Sequence, residues 1–514
     1  MMLYSIIKMI NQYLKRSTMP STGNDSRHQS TYPASSPAAP DAPRPPLIGT
    51  WAPRLALDGT PKYIAITQAI RDGMAGGDLP PGLRLPPQRD IARYLGVTIA
   101  TLTRAIERAT HQRLIHTKRG SGTFIAHIPA AMPAEGGPGA AGVLADSARD
   151  LSLNAPPASL VHDILRDNLH ELARDGRYAN CFDYDPIPGD QRHRQAARQW
   201  LALRRLAVAP GNILVTQGAH EALLACLSAL TQPGDTVLCE QLNYTGLRRI
   251  SQMLRIRLIG IRLDSEGLCL DDLRKALRAH APKAIVCTPI MHNPTTATYS
   301  TANRAMLCRV AKSANLPIIE DDIYGLLGGD DAPPPLMTQS PDQTILVTSL
   351  SKTIAAGLRV GYLAAGSHWM PRLRDALFNL GWTAPTLQMG FATRLVESGR
   401  AQQCVVRHRD EARRRMALAR RILGASLHTA DETSSYHIWV DTGQIRPDDL
   451  SAELYREGIQ VSPASHFLIG EGAVPHALRL SLGRSPHVQA LERPLQMIAH
   501  RISGGKASAL GSIA

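Results

Sequence analysis

From residue 149 to residue 505, short apolar runs alternate with longer stretches that suit helices, and few folds accommodate that rhythm. The runs are NILVTQG (212–218), DTVLCE (235–240), AIVCTP (284–289), LPIIED (316–321) and TILVTSLSK (344–352). Each is too short for a helix and too continuously apolar for a strand with one wet face. Such runs suit strands buried on both sides, with helices as the crossovers. The alternation predicts an α/β domain around a mainly parallel sheet. The chain shows no internal repeat.

Before this domain the composition changes twice. Residues 17–46 are rich in Ser, Thr, Pro and Ala and almost free of large aliphatics, so they cannot bury enough surface to fold. Residues 1–56 are therefore expected to be a disordered tail. The first twenty residues hold an apolar stretch, but Lys8 interrupts it and no small-residue cleavage site follows. A short amphipathic helix or an early start codon is expected there rather than a secretory leader. The second break, AMPAEGGPGAAGVLAD, marks residues 129–148 as a flexible linker. Residues 57–128 remain as a small domain and 149–505 as a large one.

Three exclusions follow from composition. No run of eighteen apolar residues occurs, so no membrane span is expected. Seven cysteines (Cys181, Cys226, Cys239, Cys269, Cys287, Cys308, Cys404) are odd in number, scattered and without a CxxC pair. That argues against a disulfide framework and against a zinc site, and favours a reducing cytoplasm. The net charge of +14 favours an anionic partner, and its distribution is more telling: residues 60–126 hold ten Lys or Arg against four Asp or Glu.

Within that basic stretch, PKYIAITQAIRDGMA spaces Ile64, Ile70 and Met74 for a first amphipathic helix. PPQRDIARYL reads as a second, stopped by Gly96, and Thr98 caps a third, IATLTRAIERATHQR. LIHTKRGSGTFIA then reads as two strands about a Gly120-Ser121-Gly122 turn. Helix, tight turn, helix and basic wing together are a DNA-reading geometry, because the second helix of such a pair enters the major groove. Arg89, Arg93, Arg104, Lys118 and Arg119 can neutralise phosphates, while Thr98 to Thr101 offer hydroxyls and methyls to base edges. A merely solvated basic face is the competing reading. The conjunction of all four features disfavours it.

The large domain contains, in order, what an aldehyde coenzyme with a phosphate requires. Such a coenzyme needs an amine to form an imine, an acid facing its ring nitrogen, N–H groups and an arginine for phosphate, and an aromatic cover. The turn Gly218, Ala219, His220 sits between strand and helix. Tyr244 follows in EQLNYTG, Asn293 in MHNPTT, Asp321 and Tyr324 in IIEDDIYG. Ser349, Ser351, Lys352 and Arg359 fall within SLSKTIAAGLRVGY, and Arg479 within LRLSLG. Each alone is weak: a lysine after a strand is usually a surface group, and HNP usually only a turn. Their joint order is specific.

PPGLRLPPQRDIARYLGV and KRGSGTFIA resemble the GntR-type winged helix, and the large domain resembles the fold-type I aminotransferases. The combination is similar to the MocR-like regulators, over about residues 60–500. The resemblance implies helices on both faces of the sheet, a small C-terminal α+β subdomain, and pyridoxal 5'-phosphate bound to Lys352. It implies Asp321 at the pyridine nitrogen, Asn293 and Tyr324 at the ring hydroxyl, Tyr244 stacked on the ring, and Ser349, Ser351, Arg359 and the 218–220 turn around the phosphate. Arg479 would take an amino-acid carboxylate. Tyr184, in FDYDPIPG, resembles a tyrosine lent to a partner subunit, which implies a homodimer, with a domain-swapped form among its arrangements. Three positions depart from the family pattern. Ile99 and Thr103 stand where arginines are frequent, so base preference does not transfer. His220 stands where glutamine is frequent. Thr296 stands where many enzymes have glycine, as it does in the regulator branch.

Three functions are compatible with these residues. The preferred one is a transcription regulator, bound to double-stranded operator DNA, that senses pyridoxal phosphate, an amine or an amino acid through the imine at Lys352. The second is an aminotransferase acting on an amino acid with a 2-oxo acid acceptor, for which every proton-shuttling residue is present. The third, a repressor whose large domain is only a dimerisation scaffold, sits poorly with an intact Lys352.

Overall fold

The computed structural model describes residues 61–75, 78–80, 82–111, 114–118, 122–125, 149–185, 189–382, 384–430 and 433–510. The expected tail at 1–56, the linker at 129–148 and the wing tip at 119–121, Arg119 included, lie outside these residues. The chain divides into two compact units, Met1–Ala130 and Ala131–Ala514.

The first unit is built from α1 (Lys62–Ala75), α2 (Gln88–Leu95), α3 (Ile99–His111) and the antiparallel pair β1 (Ile115–Lys118) and β2 (Gly122–Ile125). Its core is Ile66, Ile70, Leu85, Ile91, Leu102, Ile106 and Ile125, with Tyr63 and Met74 packed against it. The buried face of α1 is thus centred on Ile66 and Ile70, whereas Ile64 is only half-buried. Thr67 settles the rotation: its hydroxyl donates to Tyr63 O at 2.9 Å and to Ala105 O at 3.3 Å, tying α1 to α3. Gly96 ends α2 in the left-handed conformation, with φ 62°. Thr98 Oγ1 then accepts Thr101 N at 3.2 Å and caps α3.

The second unit holds a seven-stranded sheet of β3 (Ile213–Thr216), β4 (Thr236–Glu240), β5 (Arg257–Ile261), β8 (Ala284–Cys287), β9 (Ile318–Asp321), β10 (Thr344–Ser349) and β11 (Gly361–Ala364). Two short strands, β6 (Leu263–Asp264) and β7 (Gly267–Leu268), form a separate hairpin. The order across the large sheet is β3-β11-β10-β9-β8-β4-β5. Neighbours run parallel except at β11, which is antiparallel to both β3 and β10.

Alternation along the strands divides two cores. Ile213 and Val215 pack into one cluster and Leu214 into another; Leu346 and its neighbours Ile345 and Val347 divide the same way. One face is covered by α5 (Gln191–Ala202), α11 (Thr386–Glu397) and α12 (Arg400–Leu423), through Trp200, Leu395 and Val405. The other is covered by α6 (Ala219–Leu230), α7 (Thr245–Leu254) and α10 (Met370–Gly381), through Leu223, Leu247 and Leu373. A smaller antiparallel sheet of β12 (His437–Asp441), β14 (Ala477–Ser481) and β13 (Ser462–Pro463), in that order, packs with α12, α13 (Pro447–Arg456) and α14 (Glu492–Leu510) as the C-terminal α+β part. Among the described residues no helix is long and apolar enough to cross a membrane.

Gly361, the first residue of β11, lets that strand close on the turn after β3. A Cβ there would lie 2.8 Å from Gly218 Cα and carbonyl carbon. Gly361→Ala is therefore expected to cost about 1–3 kcal/mol, read as a lowered urea midpoint. An unchanged midpoint would show that the close approach is not required.

Candidate functional site

A cavity of about 550 Å³ opens at the C-terminal ends of the parallel strands, where loops leave a doubly wound sheet and ligands bind. Its wall includes Asn154, Ala219, His220, Tyr244, Arg249, Thr288, Asn293, Asp321, Tyr324, Ser349, Ser351, Lys352 and Arg359. Segments far apart in sequence meet here because all but the Leu153–Ala155 stretch follow a strand of the same sheet.

The turn after β3 supplies one end. Gly218 precedes α6 with φ 89°, and a Cβ on it would lie 3.3 Å from Arg359 Nη2. Only glycine fits this conformation with the guanidinium so near. Arg359 Nη2 donates to Gln217 O at 3.0 Å, so the arginine is held across the start of α6. Backbone N–H groups at a helix start beside a guanidinium form an anion cradle. Ser349, the last residue of β10, accepts Ser351 N at 3.3 Å. Ser351 Oγ is buried and meets no partner among the described residues. His220 stands edge-on to Tyr244, ring centres 6.2 Å apart. Burial, with Arg359 and Arg249 near, holds its imidazole below the usual range and so neutral.

Asp321 ends β9 at the other side. Neighbouring acids are paired: Arg204 donates to Asp322 in a two-pronged contact of 2.9 and 3.2 Å, and Arg304 lies 3.5 Å from Glu320. Asp321 has no such arginine, and its Oδ1 is buried without a partner among the described residues. Burial, then the charges of Asp322 and Glu240, push its carboxyl up to about 7. Glu240, also raised to about 7 by burial, accepts Thr288 N at 2.6 Å, Tyr299 Oη at 2.7 Å and Asn243 Nδ2 at 2.7 Å. Through Thr288 it is tied to the cavity wall.

Lys352 is half-buried and its Nζ donates to Asn154 O. Asn154 Nδ2 donates to Tyr324 Oη at 2.9 Å and lies 3.3 Å from His437 Nδ1. Arg479 is buried behind the wall, donating through Nη1 to Asn293 Oδ1 at 3.4 Å and through Nη2 to Ser462 Oγ at 3.1 Å, with its guanidinium over the Phe467 ring. Thr296 takes the left-handed conformation itself, at φ 64°, and its hydroxyl donates to Thr429 Oγ1 at 3.1 Å. A β-branched residue there costs about 1–2 kcal/mol. Tyr184 lies outside the cavity, 80% exposed and stacked on Trp382 at 5.1 Å.

The structure thus brings Ala219, His220, Tyr244, Asn293, Asp321, Tyr324, Ser349, Ser351, Lys352 and Arg359 together, with Gly218 just behind and Arg479 reached through Asn293. Asn154, Arg249, Thr288, Glu240 and His437 were not expected. Asn154 and His437 lie in unremarkable local sequence, and nothing short of the fold could have linked them to Lys352.

On the first unit, Arg89, Thr98 and Arg104 are exposed and Thr101 half-buried, all on or next to α2 and α3. Arg104 lies over the Tyr63 ring at 4.7 Å. Thr98 Oγ1 and Thr101 Oγ1 stand 2.9 Å apart, so part of each hydroxyl's capacity is spent in the cap. Lys118 ends β1. Arg84, not anticipated, is exposed and lies against Gly122 of the wing, where a Cβ would come within 2.9 Å of its Nε.

Residues 149–491 match the family model for aminotransferase class I and II. The chain belongs to the aminotransferase class I and II family. Residues 62–125 match the model for bacterial regulatory proteins of the gntR family, so the family's domain is here joined to a DNA-binding one, as in MocR-like regulators. The uncharacterised HTH-type transcriptional regulator YdeF of Bacillus subtilis is 26% identical over 87% of this chain and 96% of its own. The HTH-type pyridoxine biosynthesis transcriptional regulator PdxR of Corynebacterium glutamicum is 28% identical over 79% of this chain and 89% of its own. Among solved structures, the α-aminoadipate aminotransferase LysN of Thermus thermophilus, complexed with N-(5'-phosphopyridoxyl)-L-leucine, superposes with a TM-score of 0.63 at 20% identity, over 71% of this chain and 94% of that one. The large domain of this family member has the fold-type I architecture.

The raised carboxyl of Asp321 has a testable sign. Folded Asp321 keeps its proton up to about 7, whereas the unfolded chain releases it near 3.8. This group therefore favours folding below that interval and loses its contribution as pH rises through it. Buried His292 and His437, lowered to about 3 by burial, act in the opposite direction below their ordinary 6.5. A difference isolates Asp321: Asp321→Asn should gain urea stability over the parent at pH 8 in protein stripped of coenzyme, and gain less at pH 5. Equal gains at both would contradict the assignment.

Proposed function

We propose that this protein is a DNA-binding transcription regulator whose aminotransferase-like domain holds pyridoxal 5'-phosphate at Lys352 and senses it, or an amine or amino acid that exchanges with Lys352. The observation that carries this reading is the retention of Lys352, Asp321 and Arg359 around one cavity in a chain that also has a winged helix. The similarity to PdxR, a transcriptional regulator of pyridoxine biosynthesis, supports it.

The residues fit this coenzyme. Asp321 Oδ1, buried and unmet, matches a ring nitrogen that carries a proton. The start of α6 with Arg359, Ser349 and Ser351 matches a phosphate. When bound, the coenzyme supplies an aldehyde that condenses with amines and a ring that draws electrons from them. The chain's own residues do the rest. Lys352 Nζ would be the nucleophile toward that aldehyde and the group that carries protons to and from a bound ligand. Asp321 keeps the ring nitrogen protonated. Asn293 and Tyr324 orient the ring hydroxyl, and Tyr244 covers the ring face. Ala219 and His220 give backbone N–H groups to the phosphate. Arg479 accepts a ligand carboxylate.

On DNA, Arg89, Arg104, Lys118 and Arg119 bind phosphates, while Thr98 and Thr101 meet base edges. Ile99, 52% exposed at the start of α3, suits a thymine methyl rather than a phosphate. The protein works as a homodimer in the cytoplasm, with exposed Tyr184 reaching the partner's cavity. Domains are assigned as a tail at 1–56, the winged helix at 57–128, a linker at 129–148 and the coenzyme domain at 149–505.

The test is a gel shift on the chain's own upstream intergenic DNA, with pyridoxal phosphate and an amine panel. Ligands should alter the shift of the parent protein by about tenfold in affinity, and Lys352→Ala should abolish the response without abolishing DNA binding. An identical response in the variant, or steady multiple-turnover amine transfer without any effect on DNA binding, would refute the reading.

A further inference from the structure

The two cations that the proposed function assigns to ligand are both held by one short segment. Lys352 Nζ donates to Asn154 O, and Arg479 Nη2 donates to Ser152 O. Ser152 and Asn154 are two residues apart, and Leu153, Asn154 and Ala155 line the cavity. A ligand carboxylate that pairs with Arg479 Nη2 competes with Ser152 O for it. Coenzyme attachment at Lys352 must release Nζ from Asn154 O.

The segment is fastened at its front end. Gln460 N donates to Arg149 O at 3.0 Å, Leu151 N to Gln460 O at 2.8 Å, and Ser481 N to Leu151 O at 2.7 Å, joining it to the small C-terminal sheet. Asp150 accepts Arg484 Nη1 at 2.6 Å, Ser152 N at 3.0 Å and Ser152 Oγ at 2.6 Å. Its far end is fastened by side chain: Asn154 Nδ2 bonds Tyr324 Oη at 2.9 Å and faces His437 Nδ1 at 3.3 Å. The direction of that last bond follows from chemistry. His437 Nε2 lies 3.1 Å from His292 O, which only accepts, so Nε2 carries the hydrogen and Nδ1 is bare. The amide of Asn154 must therefore present its nitrogen to His437, which spends both its hydrogens and fixes the side chain. Asn154 is clamped beside Lys352 by contacts that a ligand on Tyr324 would disturb.

We propose that residues 150–155 form a strap that competes with ligand for Lys352 and Arg479 and is displaced when ligand takes them. At Arg479 a carbonyl gives way to a carboxylate, and at Lys352 a hydrogen bond gives way to a covalent attachment that amines reverse, so both displacements can be undone. The strap directly follows residues 129–148, which connect to the winged helix in the chain. With Arg149 and Leu151 still paired to the small sheet, ligand loosens the stretch from Ser152 to Ala155, a few residues after the 129–148 connection. The inference rests on the coenzyme reading above and adds how occupancy is reported.

Hydrogen–deuterium exchange on the full chain tests it, with pyridoxal phosphate alone and with pyridoxal phosphate plus alanine. Ligands usually protect the amides they cover. Here the peptide spanning 149–157 should instead exchange about tenfold faster when ligand is present, and Lys352→Ala should show no such change. Borohydride trapping in the same samples separates the two readings. Loading of Lys352 with no faster exchange overturns the strap and leaves the sensor intact; no loading of Lys352 overturns both. A second variant checks the sign. Asp150→Ala weakens the fastening, so it should bind alanine about fivefold tighter than the parent in coenzyme-loaded protein, because less of the population is capped. Unchanged or weaker binding in a variant that still loads Lys352 overturns the strap.

Discussion

Asp321 closes a fully buried strand with a carboxyl that no arginine among the described residues answers, and the surroundings of the cavity follow from that imbalance. An ionised carboxylate withdrawn from water costs several kcal/mol unless it is paired. Glu320 and Asp322, one residue to either side, meet that demand with Arg304 and Arg204. Asp321 alternates to the opposite side, where Glu240 adds further negative charge and Lys352 acts as a counterweight. The proposed partner, a cationic ring nitrogen, would supply the charge that this carboxyl, left protonated to about 7, lacks.

The sheet converts this local chemistry into a site. β11 stands antiparallel between β3 and β10, so the Gly218 turn and the Ser349–Lys352 segment begin two strand spacings apart, about 10 Å. Arg359, placed just before β11 in a left-handed conformation, fills the interval and reaches back to Gln217 O. Gly361 then lets β11 close against the turn. The remaining walls come from the loops after β4, β8 and β9, each a separate stretch of sequence. A change in any one strand's register would move one wall against the others, which is why the buried pattern of the strands and the chemistry of the loops are inseparable.

What was legible in the sequence, and what was not, has a common cause. Five strands announced themselves because both faces are buried, making continuous apolar runs. β5, an edge strand with the partly exposed run RLIGI, and β11, only GYLA, carry too weak a pattern. On α1, periodicity singled out Ile64, yet Thr67's bond to Ala105 turns the helix so that Ile66 faces inward. Site residues were found where they sit in a motif beside a strand end, as Asp321, Lys352 and Arg359 do. Asn154, Glu240 and His437 act through partners more than forty residues away, and no local pattern marks such residues. Thr296 shows the converse: its departure from glycine was visible at once. Only the structure shows the left-handed backbone being kept and tied to Thr429.

The most direct measurement is the ¹⁵N resonance of pyridoxal phosphate labelled at its ring nitrogen and bound to the full chain. A resonance in the pyridinium range at neutral pH, lost in Asp321→Asn while the coenzyme stays bound, is the result expected if this carboxyl exists to hold that proton. An unprotonated ring nitrogen in the parent protein would contradict the role given to Asp321, and with it the reading of the cavity as a coenzyme site.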